Sequence, residues 1–240
     1  MSTRPVLTTL KTCFSTLQQQ ATGNLNPSRC RPLPHTSPPT GHHVGTCVPG
    51  LNTLIILDRS GSMGYSDYRP NRLEGGKRAA IEFVNQRAAL CPDDWVGVIA
   101  FDHTVEVKLK LTSISDKQRI VRAIGAIKVE GGTNLAVGLK AALELFKKHH
   151  SANTRQIILL TDGHGGSPLR NAATLKDELG CIIDVVGIGG APTDVNEKLL
   201  RKVSTTDANG VNHYRFINDS HELKDHYRKI ATGIMWKPKP

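Results

Sequence analysis

The chain reads as an α/β fold: a doubly wound, Rossmann-like sheet of about six mostly parallel strands, with one antiparallel edge strand and helices on both faces. Three observations predict it. Beyond Gly50, apolar runs of strand length such as Leu54 to Leu57, Ile157 to Leu160 and Ile182 to Val186 alternate with stretches of helical periodicity. One segment alternates residue by residue instead, with Val105, Val107, Leu109 and Leu111 interleaved with Glu106, Lys108 and Lys110. That pattern describes a half-exposed strand hairpinned to its predecessor, hence an edge. Finally, 240 residues suffice for one such core plus an extension, and fall short of two ordinary domains.

Taken in order, Leu51 to Asp58 reads as a buried strand, and Asn71 to Leu90 as a helix entered through Pro70 that packs Ala80, Phe83, Val84 and Ala88. Trp95 to Phe101 is the next strand, followed by the alternating edge strand. Ser115 with Gln118 forms a capping box for a helix through Ile127, with Ile120, Val121 and Ile124 inward. Leu135, Leu139, Ala142, Leu143 and Phe146 stripe a further helix, and strand Gln156 to Thr161 follows. Ser167 as N-cap, Pro168 in the first turn and Gly180 past the end bracket a helix to Leu179. Strand Cys181 to Ile188, helix Asp194 to Val203, strand His213 to Ile217 and helix Ser220 to Ile234 complete the domain, placed at residues 49–236.

Residues 1–48 form a different segment, a basic arm; from Asn26 to Pro49 the prolines Pro27, Pro32, Pro34, Pro38, Pro39 and Pro49 exclude a helix or central strand, while Leu7, Leu10, Phe14 and Leu17 recur at helical spacing before them. The first acidic residue of the chain is Asp58, whereas Arg4, Lys11, Arg29 and Arg31 precede it. A short basic tail, 237–240, ends the chain. The overall charge of +10 favours acidic partners: carboxylate-rich proteins, nucleic acid or anionic lipid. No apolar run reaches the roughly 18 residues of a membrane helix, so no membrane insertion is expected. Five Cys without close pairs argue for a reducing compartment, with the cytoplasm as the default and an organelle, reached through the acid-free N-terminus, as the alternative.

Ligands of such sheets sit at the carboxyl ends of the strands. The first strand ends in Asp58-Arg59-Ser60-Gly61-Ser62, the helix near Leu135 begins after Gly131-Gly132-Thr133-Asn134, and the strand through Thr161 ends in Asp162-Gly163. Asp58, Ser60, Ser62, Thr133 and Asp162 thus bring two carboxylates and three hydroxyls to one end of the sheet. A set of oxygen donors alone suits Mg²⁺, with Mn²⁺ or Ca²⁺ as alternatives, and disfavours Zn²⁺.

Asp58-x-Ser60-x-Ser62, Thr133 and Asp162-Gly163 resemble the metal-ion-dependent adhesion site of the von Willebrand factor A family. The resemblance spans roughly residues 49–236. It implies that Ser60, Ser62 and Thr133 offer hydroxyl oxygens to the ion while Asp58 and Asp162 bind directly or through water. One position is left for the Asp or Glu carboxylate of a protein partner. The loop Gly64 to Asn71 is longer than is usual in that family, and puts Tyr65, Tyr68, Arg69 and Arg72 beside the metal as candidate partner-reading residues, with His164 from the neighbouring loop.

Enzyme readings fail on spacing. Gly75-Gly76-Lys77 lacks the first Gly and the final Ser or Thr of a phosphate loop, with Asn71 and Arg78 in those places. His164-Gly165-Gly166 has no G-x-S-x-G elbow to serve, and Pro192 replaces the third glycine after Gly187-x-Gly189. Cys30, His35, His42, His43 and Cys47 fit no compact zinc knuckle, though together they could supply four ligands. The basic run Lys147-Lys148-His149-His150 reads as a solvated helix end, and Cys91 and Cys181 as core packing. The expected function is a non-enzymatic, metal-dependent protein-binding module, a scaffold or assembly subunit with no oligomeric state assigned. The alternative is a nucleic-acid-associated protein that uses the arm and Lys229, Lys237 and Lys239 on phosphates.

Overall fold

The computed structural model describes residues 50–233. The basic arm with its Cys30, His35, His42, His43 and Cys47 set, the tail lysines Lys237 and Lys239, and the expected helix end at Ile234 lie outside the described residues. The elements run β1 (Leu51–Asp58), α1 (Arg72–Leu90), β2 (Trp95–Phe101), β3 (Val105–Ser113), α2 (Lys117–Gly125), α3 (Leu135–Lys148), β4 (Thr154–Thr161), α4 (Leu169–Asp177), β5 (Ile182–Ile188), α5 (Glu197–Val203), β6 (Tyr214–Ile217) and α6 (Ser220–Thr232).

The six strands form one sheet in the order β3-β2-β1-β4-β5-β6, parallel throughout except for the β2–β3 pair. Successive residues of the central strands point to opposite faces. Ile55, Leu57, Ile158, Leu160, Val186 and Ile188 therefore join one core with Phe83, Ile120, Ile124 and Tyr227 of α1, α2 and α6. Leu54, Ile56, Ile157, Leu159, Ile183 and Val185 join the other with Leu139, Leu175 and Leu200 of α3, α4 and α5. Burial on both faces is why these strands read as continuous apolar runs. Strand β3 lies at the edge as expected, with Val105 and Val107 partly exposed. No helix among the described residues is long and apolar enough to cross a membrane.

Local chemistry moves several expected boundaries. Asn71, not the first residue of α1, is its cap, accepting the Glu74 N–H at 2.8 Å. Ser115 caps nothing: Ser113 closes a short 3₁₀ turn over Ile114–Asp116, and Asp116 then caps α2, which stops at Gly125. Ser167 makes no capping bond to α4, which ends at Asp177. Asp194 closes a 3₁₀ turn, and α5 starts only after Asn196, whose side chain accepts from the Leu199 N–H. The Gly75-Gly76 pair sits inside α1 for packing, since a Cβ would lie 2.1 Å from Tyr68 Cε1 at the first and 2.1 Å from Leu160 Cδ2 at the second. His149 is not solvated as expected; it packs at a tilt against Trp95, with ring centroids 5.2 Å apart and the planes inclined at 54°.

One buried group ties this fold to pH. His226 faces inward on α6, and burial, then the charges of Arg215 and Lys229, pushes its pKa down to about 4 from an ordinary 6.5. The unfolded chain therefore binds a proton that the folded chain refuses. Stability is expected to be intact above pH 6.5 and to fall as the pH drops towards 4, by about 2 to 3 kcal/mol from this group. Urea unfolding at a series of pH values should show a shallower loss in His226→Gln; equal slopes for the two chains would refute the assignment.

Candidate metal centre

Strands β1 and β4 are neighbours, with Leu57 beside Leu160, yet the chain leaves them in opposite directions across the sheet. Loops at such a switch point diverge and leave a crevice at the carboxyl ends. Asp58 closes β1 there and is fully buried. Its Oδ1 accepts the Ser60 N–H at 2.9 Å, and its Oδ2 accepts the Thr161 hydroxyl at 2.6 Å. Thr161 in turn accepts the Gly163 N–H at 2.9 Å, which fixes the turn into Asp162. Burial pushes the Asp58 carboxyl up to about 6, with the Asp162 charge adding to it and the bonds from Thr161 and Ser60 opposing it.

Ser60 links this carboxylate to the remaining donors. Ser62 donates its hydroxyl to Asp162 Oδ2, and Ser60 Oγ lies 3.2 Å from Ser62 Oγ. The His164 N–H reaches Asp162 Oδ1 at 3.2 Å. Thr133 is brought in by loop-to-loop stitching: Gly61 N–H donates to Gly131 O at 3.0 Å, Asn134 N–H to Asp102 O at 2.7 Å, and Leu135 N–H to Gly165 O at 3.2 Å. Gly165 is required at that crossing, because its φ is +84° and a Cβ would stand 2.2 Å from Thr133 O.

Asp58, Ser60, Ser62 and Asp162 are thus joined by hydrogen bonds, with Thr133 held on the adjoining loop. The donor set fits a hard divalent cation: hydroxyl and carboxylate oxygens, no sulfur, no imidazole within the hydrogen-bonded set. Among the described residues no group of three or more His, Cys, Asp or Glu is placed to hold a metal, so any ion here depends on the serine and threonine hydroxyls.

Sequence reasoning missed the residues that hold this set in place. Arg59 turns away from the crevice and is itself buried, bonded to Asp102 at 3.0 Å, Glu130 at 2.9 Å and Glu106 at 3.1 Å. It pins the β1 loop to the β2 end and to the loop ahead of Thr133. Thr161, the brace of Asp58, was visible only as a polar residue at a strand end.

The long loop is only partly a reading surface. Tyr65 is 59% exposed and Arg69 is exposed, in keeping with contact to a partner. Tyr68 is not: it is buried against Gly75, and burial raises its hydroxyl pKa further above the ordinary value. Arg72 is buried too, with its guanidinium on Asp67 and beneath Tyr65, 5.4 Å from the ring centroid. The loop folds back because Asp67 also accepts the Gly190 N–H at 2.9 Å, fastening it to the end of β5. His164 is exposed, and its Nε2 bonds Asp194 O at 3.0 Å, which requires the proton on that nitrogen.

Residues 53–164 match the family model of the von Willebrand factor type A domain. The chain is 37% identical over 113 residues to an uncharacterized protein of Synechocystis sp., covering 47% of this chain and 25% of that one. It is 27% identical over 150 residues to calcium-activated chloride channel regulator 1 of Equus caballus, covering 61% of this chain and 16% of that one. The chain therefore spans a quarter or less of the length of these relatives. Its fold is similar to that of proximal thread matrix protein 1 from the mussel byssus, solved with a zinc-occupied MIDAS motif, at a TM-score of 0.63 and 21% identity, covering 77% of this chain and 48% of that one.

Proposed function

We propose that this chain, whose residues 53–164 match the von Willebrand factor type A domain, commonly a metal-dependent protein-interaction module, captures a carboxylate of a protein partner at a divalent cation held by Asp58, Ser60, Ser62, Thr133 and Asp162. The observation that carries this reading is the convergence of two carboxylates and the Ser60 and Ser62 hydroxyls in one hydrogen-bonded set at the switch-point crevice, with Thr133 on the loop stitched to it. The related mussel protein, with zinc in its MIDAS motif, supports a metal at this place; the oxygen-only donor set favours Mg²⁺, with Mn²⁺ or Ca²⁺ as substitutes. A bound ion whose ligands include neutral hydroxyls keeps positive charge and so attracts an external carboxylate, which is recognition and not catalysis.

The chain's own residues divide the work. Asp58 and Asp162 supply the negative charge, and Thr161 and the Ser60 amide hold Asp58 in one orientation. Exposed Tyr65, Arg69 and His164 rim the site and read the partner. The module acts as an intracellular scaffold or assembly subunit, the placement that five cysteines without close pairs in the sequence favour.

Thr133→Ala tests this. The residue lies on a loop at the mouth of α3, outside both cores, so the fold should survive while partner affinity falls at least tenfold in Mg²⁺. A partner that is retained in Mg²⁺, released by EDTA and lost in Thr133→Ala is the expected result; equal retention in all three conditions would refute it.

A further inference from the structure

Arg72 stands where a cation is least expected. It is the first residue of α1, where the helix dipole favours negative charge, and its side chain is only 4% exposed. Three carboxylates compensate for this. Asp67 takes a two-pronged bond, Nε to Oδ1 at 3.0 Å and Nη2 to Oδ2; Asp194 Oδ2 lies 3.7 Å from Nη2; and Asp162 Oδ2 lies 3.5 Å from Nη1. Asp67 and Asp194 are themselves fastened, by the Gly190 and Ala191 amides at 2.9 and 3.0 Å. The guanidinium is therefore bound most closely to Asp67 and stands farther from Asp162, the oxygen it approaches being the same Oδ2 that accepts the Ser62 hydroxyl.

We propose that Arg72 is an internal counter-cation that competes with the divalent ion for Asp162, and that Asp67, by holding Arg72 back, sets the affinity of the site. The proposal rests on the metal-binding reading above. Two cations that share one buried carboxylate repel each other, so removing the guanidinium strengthens metal binding. Weakening its grip on Asp67 has the opposite effect, because the freed arginine settles on Asp162. A purely structural role for the ion pair gives both changes the same sign, since each loosens the same loop.

The experiment is calorimetric titration of the full chain with Mg²⁺ and with Mn²⁺ alone, on wild type, Arg72→Gln and Asp67→Asn, each checked for cooperative unfolding in EDTA. Arg72→Gln is expected to bind about tenfold more tightly, and Asp67→Asn about threefold more weakly. If Arg72→Gln does not fold, the decision falls to Asp67→Asn, where weaker binding supports the proposal and unchanged or tighter binding overturns it. Unchanged or weaker binding by a folded Arg72→Gln overturns it outright, while the metal reading stands on the wild-type titration. No ion taken up by any of the three chains overturns the metal reading and this inference with it.

Discussion

Asp58→Asn is expected to abolish divalent-cation binding and, at the same time, to make the metal-free protein more stable at neutral pH. Both effects come from the burial of one carboxylate. Asp58 is fully buried, and its pKa rises from 3.8 to about 6 on folding despite the bonds that Thr161 and Ser60 donate to it. A carboxyl whose pKa is raised on folding contributes stability that is complete below 3.8 and lost as the pH rises through 6. At pH 7 and above the metal-free protein carries that whole cost, about 2 to 3 kcal/mol. The neutral amide avoids it, keeps the Ser60 N–H bond through its carbonyl oxygen, and weakens the hydroxyl contacts with Thr161 and Ser60. A net gain of about 1 kcal/mol is expected in urea unfolding with EDTA at pH 7.5. In saturating Mg²⁺ the order should reverse, because wild type gains the binding free energy and the variant does not. Metal uptake by Asp58→Asn within tenfold of wild type would sink the assignment, and so would a metal-free variant less stable than its parent.

On the proposed reading such a cost is borne for an ion, which distinguishes a binding residue from a packing one. Its position was legible in the sequence because both sheet and site obey local rules. Strands buried on both faces must be apolar throughout, so the limits of β1 and β2 could be read to the residue. A strand of that kind that ends on Asp58, and another that ends on Thr161-Asp162, place polar groups at one edge whatever the helices do. The helix starts were less legible because several polar residues competed for each cap. Ser113, Ser115 and Asp116 could all cap near α2, and the winner depends on a 3₁₀ turn that tertiary packing of Ile114 selects. The fate of residues 65–72 was hidden for a similar reason. Tyr68 and Arg72 look like surface residues on a long loop, and the nearby Gly75 and Asp67 turn them inward together with the distant Gly190 and Asp194. Long-range partners of this kind leave no periodic mark.

The largest loss of stability is expected far from the metal site, at the opposite ends of the strands, on Asp94→Ala. Arg87 of α1 and Asp94 ahead of β2 form an ion pair in which both side chains are almost wholly buried, with Nε on Oδ2 at 2.5 Å and Nη2 on Oδ1 at 2.9 Å. The same Oδ1 accepts the Leu51 N–H at 2.8 Å, and Arg87 Nη1 donates to Ala231 O at 3.1 Å. One pair thus joins the start of β1, the start of β2, the body of α1 and the end of α6. Removing the aspartate takes a buried counter-charge from the guanidinium and the acceptor from the Leu51 amide. Breaking a buried pair from one side costs about 3 to 5 kcal/mol, a large share of the 5 to 15 kcal/mol that holds an ordinary domain together. The melting temperature should fall by about 10 °C. Arg87→Met combined with Asp94→Leu should recover most of the loss, since two apolar groups leave no charge behind, although the orphaned Leu51 N–H keeps about 1 kcal/mol of it. Metal affinity, measured where Asp94→Ala is still folded, should match wild type because no metal-site residue touches the pair. Urea unfolding that shows a loss below about 1 kcal/mol for Asp94→Ala, or no recovery in the double variant, would show that the pair does not hold these four segments together.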